Sequence, residues 1–309
     1  DRRHADDRPQ VTQEMLDLYN DYAHGGMSRR QFMDRLRVYA VGGVTVTALS
    51  AALMPRYAEA EQISPTDERL VGRDITYTSS RGAGTMGGYE VKPADSGGKL
   101  PGIVVIHENR GLNPYIRDVA RRAALGGYRV LAPDALYPLG GYPGDDDSGR
   151  ALQRERDRAE MVEDFNAAVE LLRVHPECTG RVGCVGFCFG GYVSNQLAVR
   201  NPELKAAVPF YGGGASPEQV PGIQAALLLQ FAENDPRVNA TWPPDKAALE
   251  AQGKTFDSYL YPGTNHGFHN DTTPRFNPEA AELAWQRTMA FFDLHLRRPE
   301  APSISSTSD

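Results

Sequence analysis

One of the three cysteines stands in a pattern suited to nucleophilic chemistry. Gly186-Phe187-Cys188-Phe189-Gly190-Gly191 follows the apolar run 182–187 and precedes a helical pattern over 192–200. A G-x-Cys-x-G sequence at a strand-to-helix junction is the cysteine form of a nucleophile elbow, a sharp turn that lifts the central side chain clear of a sheet. Glycines two residues to either side let the two backbones approach without Cβ clashes. The start of the following helix favours a thiolate over a thiol. Such a nucleophile needs a base and an orienting acid, and in this arrangement both follow it in the chain, acid first. Downstream of Cys188 stand His266, His269 and His295. His266, in Gly263-Thr264-Asn265-His266-Gly267-Phe268 right after a strand-like run, is the expected base, while His295 falls in the last helical pattern. The acid is expected at Asp235, in the turn behind the apolar run 226–231. His266 and His269 share an H-x-x-H spacing, but no cysteine or carboxylate cluster completes it, so no metal site is expected. Cys184 sits four residues before Cys188 on the same strand, about 13 Å away and out of disulfide reach. It is expected in the core, and Cys178 has no assigned role.

The elements that must position these residues alternate along the chain. Ile75 and Tyr77, then Tyr89 and Val91, alternate with polar residues around Gly87-Gly88 and predict an opening hairpin. Continuous apolar runs at 103–106, 128–132, 182–187, 206–210 and 226–231 predict strands covered on both faces. An alternating strand follows at 256–261. Helical patterns fall between them at 114–125, 151–174, 192–200, 247–251 and 279–296. This succession predicts an α/β fold, a mostly parallel central sheet with helices on both faces. Gly140 to Gly149 reads as an acidic loop whose Asp145, Asp146 and Asp147 are expected to be solvated, with a cation site as the alternative. Every candidate above lies just past the C-terminal end of a strand, where open α/β sheets place their ligands.

The chain has 309 residues, 40% of them hydrophobic, and a net charge of −7. That length allows one large α/β domain plus a surplus, and the acidic balance argues against a nucleic-acid partner that needs a broad basic surface. Three cysteines are too few for a disulfide framework. The surplus is at the N-terminus. Ser28-Arg29-Arg30-Gln31-Phe32-Met33 is followed by an uncharged run from Val38 to Met54 and then by Ala58-Glu59-Ala60. An arginine pair, a weakly apolar stretch and an A-x-A-like site, over 28–60, resemble a twin-arginine export signal to the periplasm. The alternative is an uncleaved, cytoplasmic helical extension that packs on the main domain, in which case Met15, Tyr19 and Tyr22 must find partners. Either way no stable membrane span is expected. The expected division is an extension over 1–63, a catalytic domain over 64–298 and a polar tail over 299–309.

Taken together, His107-Glu108-Asn109-Arg110-Gly111, the run Ala132-Pro133-Asp134-Ala135-Leu136-Tyr137, the cysteine elbow, Asn234-Asp235-Pro236-Arg237-Val238 and Asn265-His266-Gly267-Phe268 resemble the dienelactone hydrolases (carboxymethylenebutenolidases) of the α/β-hydrolase superfamily. The resemblance covers about residues 70–296. It implies a cysteine hydrolase of ester or lactone bonds working through an acyl-enzyme, with Cys188, Asp235 and His266 as triad and Glu108 helping to generate the thiolate. Oxyanion-hole N–H groups are expected from Phe189 and from Asn109. Arg110, Tyr137 and Phe268 are the expected substrate contacts. A small-molecule ester or lactone is the expected partner, and no cofactor is implied. Two departures stand out. The family arginine four residues after the histidine is Asn270 here, and Pro138 stands near the place of another family arginine. An esterase or thioesterase of other small acyl groups, or a non-catalytic binder on the same scaffold, are the alternatives.

Overall fold

In the computed structural model, which describes residues 8–297, eight strands form one sheet in the order β1-β2-β4-β3-β5-β6-β7-β8. The strands are β1 (Leu70–Ser79), β2 (Gly84–Pro93), β3 (Leu100–Ile106), β4 (Arg129–Asp134), β5 (Cys178–Phe187), β6 (Ala206–Phe210), β7 (Ala226–Asn234) and β8 (Phe256–Asn265). β1 and β2 form the expected hairpin, and β2 meets β4 antiparallel. From β4 onward every pairing is parallel. The described helices are α1 (Gln13–Ala23), α2 (Arg29–Leu36), α3 (Val46–Leu53), α4 (Tyr57–Ala60), α5 (Pro114–Leu125), α6 (Asp146–Arg154), α7 (Arg158–Arg173), α8 (Phe189–Arg200), α9 (Pro236–Asn239), α10 (Trp242–Ala251) and α11 (Pro278–Leu296). The polar tail expected over 299–309 lies outside the described residues.

The apolar runs become strands because they are covered twice. Ile103 and Val105 pack with α5 and α11 on one face of the sheet, and Val104 and Ile106 with α7 and α8 on the other. All four are fully buried, each contributing roughly 1.5–3 kcal/mol of transfer free energy. Cys184 sits in the second layer, where burial pushes its thiol up to about 12, as a core residue should.

Two expectations are corrected here. Asp145 is exposed as expected, but Asp146 is buried and Asp147 half-buried, and the helix expected over 151–174 is two helices. Asp145 caps α6 by accepting from the Ser148 N–H, and Asp157 caps α7 by accepting from Glu160. Asp146 is buried and pairs with Arg110, and Asp147 receives Tyr22 Oη and Arg29.

Residues 11–54 form a third apolar cluster of their own, in which Met15, Tyr19, Tyr22, Phe32, Leu36, Leu49 and Leu53 are buried. Tyr22 stacks on Phe32 at 4.7 Å between ring centroids. The uncharged run 38–54 is not one helix. It turns at Gly42 and Gly43, both at positive φ, before Thr45 caps α3. No described helix is long and apolar enough to cross a membrane. The cluster docks on the C-terminal edge of the sheet through Asp147, through Gln13 donating to Asn265 at 2.6 Å, and through Arg275 lying over the Tyr19 ring.

Candidate active site

Strand β5 runs straight into the elbow, and the backbone at Cys188 has φ 58° and ψ −114°. Cys188 and Tyr211 alone among the described non-glycine residues have positive φ. An L side chain tolerates that conformation only where the surroundings impose it. They do so through the flanking glycines. A Cβ on Gly186 would collide with the Gly190 carbonyl, and one on Gly190 would collide with the Ile106 carbonyl at the end of β3. The close packing of β5, α8 and β3 thus requires glycine at both places. The result is a thiol at the N-cap of α8, in the field of that helix terminus.

Asp235 follows β7 and His266 follows β8, so the adjacent parallel strands bring the two side chains together. The His266 Nδ1–H donates to Asp235 Oδ2 at 2.6 Å, with both groups almost fully buried. With Nδ1 so engaged, Nε2 is the free ring nitrogen, and it is buried without a hydrogen-bond partner. Cys188 Sγ and one ring nitrogen each of His266 and His24 lie within 4.8 Å of one another. Burial alone would push the Cys188 thiol up. The charge of His266, and after it the contact with His24, outweigh burial and hold the thiol well below its usual range. Burial works against the His266 imidazolium, but the Cys188 and Asp235 charges raise it to about 9. The two groups are thus shifted in opposite directions, the thiol toward thiolate and the ring toward imidazolium.

Glu108 has a different setting from the one the resemblance implies. Its carboxylate accepts from Arg110 at 2.7 Å and from Asn270 Nδ2 at 3.0 Å, with no described hydrogen bond to Cys188. Arg110 is buried between Glu108 and Asp146, its Nε 3.0 Å from the Asp146 carboxylate. The residue at the family arginine's place, Asn270, is thus part of the same buried network.

The cavity over Cys188 measures about 160 Å³ and is lined by His24, Asn109, Arg158, Phe189, Tyr192, Tyr211, Arg237 and His266, among others. Both residues expected to supply oxyanion donors, Phe189 and Asn109, border it. Phe189 opens α8, where an N–H has no intrahelical acceptor. None of the three expected substrate contacts does. Arg110 is enclosed by its ion pairs, Phe268 is buried against Phe210, Tyr211 and Tyr261, and Tyr137 lines a separate cavity beside β2. The cations that do face the pocket are Arg158, whose guanidinium lies 3.7 Å from the Tyr192 ring centroid, and Arg237. A larger cleft of about 820 Å³ between β1 and α7 holds no comparable group of nucleophile, base and acid among the described residues. His269 points away from the site, 2.5 Å from Tyr115 Oη and stacked on Phe187. The histidine that reaches Cys188 unforeseen is His24, just past α1, and no motif surrounds it in the sequence.

The comparisons with known proteins bear on the fold and the family. A family described as "YqhI-like" matches residues 2–40. A "Putative hydrolase fragment YghX" of Escherichia coli K12 is 56% identical over 114 residues, 37% of this chain and 97% of that protein. A "Putative carboxymethylenebutenolidase" of Synechocystis is 32% identical over 232 residues, covering 69% of this chain and 93% of the relative. Among solved structures, a "Putative Dienelactone Hydrolase" from Klebsiella pneumoniae superposes with a TM-score of 0.63 at 26% identity, over 72% of this chain and 98% of that one. A thermostable esterase from Pseudomonas putida shares the fold, with a TM-score of 0.63 over 94% of this chain at 16% identity. The model of the dienelactone hydrolase family matches residues 86–296, and the chain belongs to that family of ester- and lactone-cleaving α/β hydrolases.

Proposed function

We propose that the protein cleaves small ester or lactone substrates through a Cys188 thioester, with His266 as acid and base and Asp235 as its orienting partner. The observation that carries this reading is the buried Asp235–His266 hydrogen bond of 2.6 Å beside a strained, electrostatically depressed thiol. The thiolate adds to the substrate carbonyl carbon, and the carbonyl electron pair moves to oxygen. N–H groups of Phe189 and Asn109 stabilise that oxyanion. When the carbonyl re-forms, the C–O bond to the leaving group breaks and the alkoxide takes the proton from His266 Nε2. His266, now neutral, removes a proton from water, the hydroxide attacks the thioester, and the thiolate leaves with the acid product. Asp235 keeps Nδ1 protonated throughout, so that Nε2 is always the atom facing the reaction. The cavity of about 160 Å³ favours compact acyl groups, and Arg158 and Arg237 at its wall suit an acyl chain that carries negative charge. Cys188→Ala should reduce hydrolysis of p-nitrophenyl acetate and of simple lactones to background. Retained turnover would refute the reading.

For residues 1–63 we favour a permanent extension over an export signal cleaved after Ala60, because cleavage would remove the buried cluster of Met15, Tyr19 and Tyr22 from the sheet edge. Mass spectrometry of the mature protein from its native cell tests this, since a chain beginning after Ala60 would show the signal to be real.

A further inference from the structure

Of the groups around Cys188, one comes from outside the hydrolase domain. His24 is the C-cap residue of α1, and its Nε2 lies 3.5 Å from Cys188 Sγ. Its ring meets that of His266 edge to face, with centroids 4.7 Å apart. The segment that carries it is fastened on both sides of the site. The Asn109 side-chain amide donates to the Ala23 carbonyl at 2.9 Å, and Tyr22 donates to Asp147 at 2.7 Å.

The tautomers of the two histidines are fixed by what faces them. His24 Nδ1 lies 2.7 Å from the Asn20 carbonyl oxygen, which can only accept, so Nδ1 must carry hydrogen. His266 Nδ1 faces the Asp235 carboxylate, which imposes the same choice. In its neutral form each ring therefore turns a bare Nε2 toward the sulfur. Three basic atoms, Sγ and two Nε2, share a single proton. If the proton is on sulfur, the thiol donates to a bare nitrogen. If it moves to either ring, the thiolate accepts from an imidazolium. Glu108, which could otherwise take part, is held by Arg110 and Asn270.

We propose that His24 is a catalytic residue, a second imidazole supplied by the N-terminal extension that shares the thiol proton of Cys188 with His266. The S–H bond breaks as the N–H bond forms on Nε2 of His24, and the electron pair stays on sulfur. After attack on the carbonyl, the same proton is available to the leaving oxygen. The extension is then part of the active site, and the domain without it holds an incomplete one. The charged and titratable groups facing His24 are Cys188 at the start of α8, His266 after β8 and Arg237 of α9; burial, and after it the charges of His266 and Arg237, hold its imidazole below the usual range, while the contact with Cys188 and the thiolate charge favour its protonation. This inference rests on Cys188 being the reactive thiol, but its test does not require any ester to be hydrolysed.

The full-length protein and its His24→Ala and His24→Gln variants are alkylated with iodoacetamide between pH 4 and 10. Glutamine fills the same space but cannot take the proton, so it separates covering the pocket from proton sharing. Both variants should raise the pH midpoint of Cys188 alkylation and lower the rate at pH 6.5 by about tenfold, the effect of roughly one favourable charge interaction. An unchanged midpoint in both variants would overturn the proposal, even with faster alkylation, because His24 would then be only a cover. The unsubstituted protein gives an independent reading by nitrogen NMR of its histidine rings. Blocking Cys188 with a methylthio group should shift the His24 and His266 resonances together, and a His24 signal indifferent to the block would equally refute the idea. If hydrolysis survives in Cys188→Ala while these midpoints still move, the proposed ester chemistry fails and the shared proton stands.

Discussion

Replacing Asp235 by asparagine removes one negative charge 2.6 Å from His266 Nδ1 and almost nothing else, since both side chains are nearly fully buried. Two losses follow. The first is electrostatic. At an effective dielectric constant near 20, a charge pair about 4 Å apart is worth about 4 kcal/mol, which is the scale of support His266 loses as an imidazolium. The histidine should fall from about 9 toward its ordinary range, and the Cys188 thiol should rise as its counter-charge fades. The second is tautomeric. An asparagine amide can turn its NH2 toward Nδ1, leaving hydrogen on Nε2, where a base needs a lone pair. Together these should lower kcat/KM by about 10²–10⁴ at pH 7.5, with KM little changed, because the interaction is made to the catalytic base and not to the substrate. The assay is hydrolysis of p-nitrophenyl acetate across pH 5–10, with circular dichroism to show that the variant folds. A loss under threefold with the same pH profile would mean that His266 does not act through Asp235, and the triad would be refuted.

Other consequences concern folding and the buried charges. Gly190→Ala should prevent folding or lower the melting temperature by many degrees, because its Cβ would meet the Ile106 carbonyl; near-native melting would show that the elbow can relax. Arg110→Met should destabilise the fold by about 3–5 kcal/mol in urea unfolding, since it strands Glu108 and Asp146 as unpaired buried carboxylates. The thiolate and imidazolium also set a pH signature. The depressed Cys188 contributes stability that is present above its ordinary range and lost as pH falls through its folded value; the raised His266 contributes below about 6.5 and loses this through about 9. Their sum is flat between about pH 6.5 and 9, because folding only moves one proton from sulfur to nitrogen, and below that it should fall by up to about 1.4 kcal/mol per pH unit. The stability difference between the unsubstituted protein and Cys188→Ala should show this acid limb, and a steady alkaline decline instead would count against the ion pair.

The strands and most helices of the hydrolase domain were legible because their signals are local: apolar runs at Ile103–Ile106 and Val182–Phe187, Pro114 opening a helix and Gly126 closing it. The Cys188, Asp235 and His266 positions were legible for a related reason, since each sits directly behind a strand. What remained hidden depends on distant partners. Asp146 looks solvated until Arg110 and Tyr57 close on it, and the break between α6 and α7 falls in a charged stretch with no glycine or proline to mark it. Arg110 is held by the buried carboxylates of Glu108 and Asp146 and Phe268 packs against Tyr211, and no spacing rule reveals either partner. His24 has no signature at all, because only the docking of α1 gives it a neighbour 164 positions further along the chain.

The most direct test of the central claim is to quench the enzyme in acid during turnover of p-nitrophenyl acetate and locate the modification by mass spectrometry. One acetyl group per chain is expected on Cys188, accumulating further in His266→Ala, where deacylation lacks its base, and absent in Cys188→Ala. Turnover with no acetyl on Cys188, or with the label on another residue, would contradict that claim.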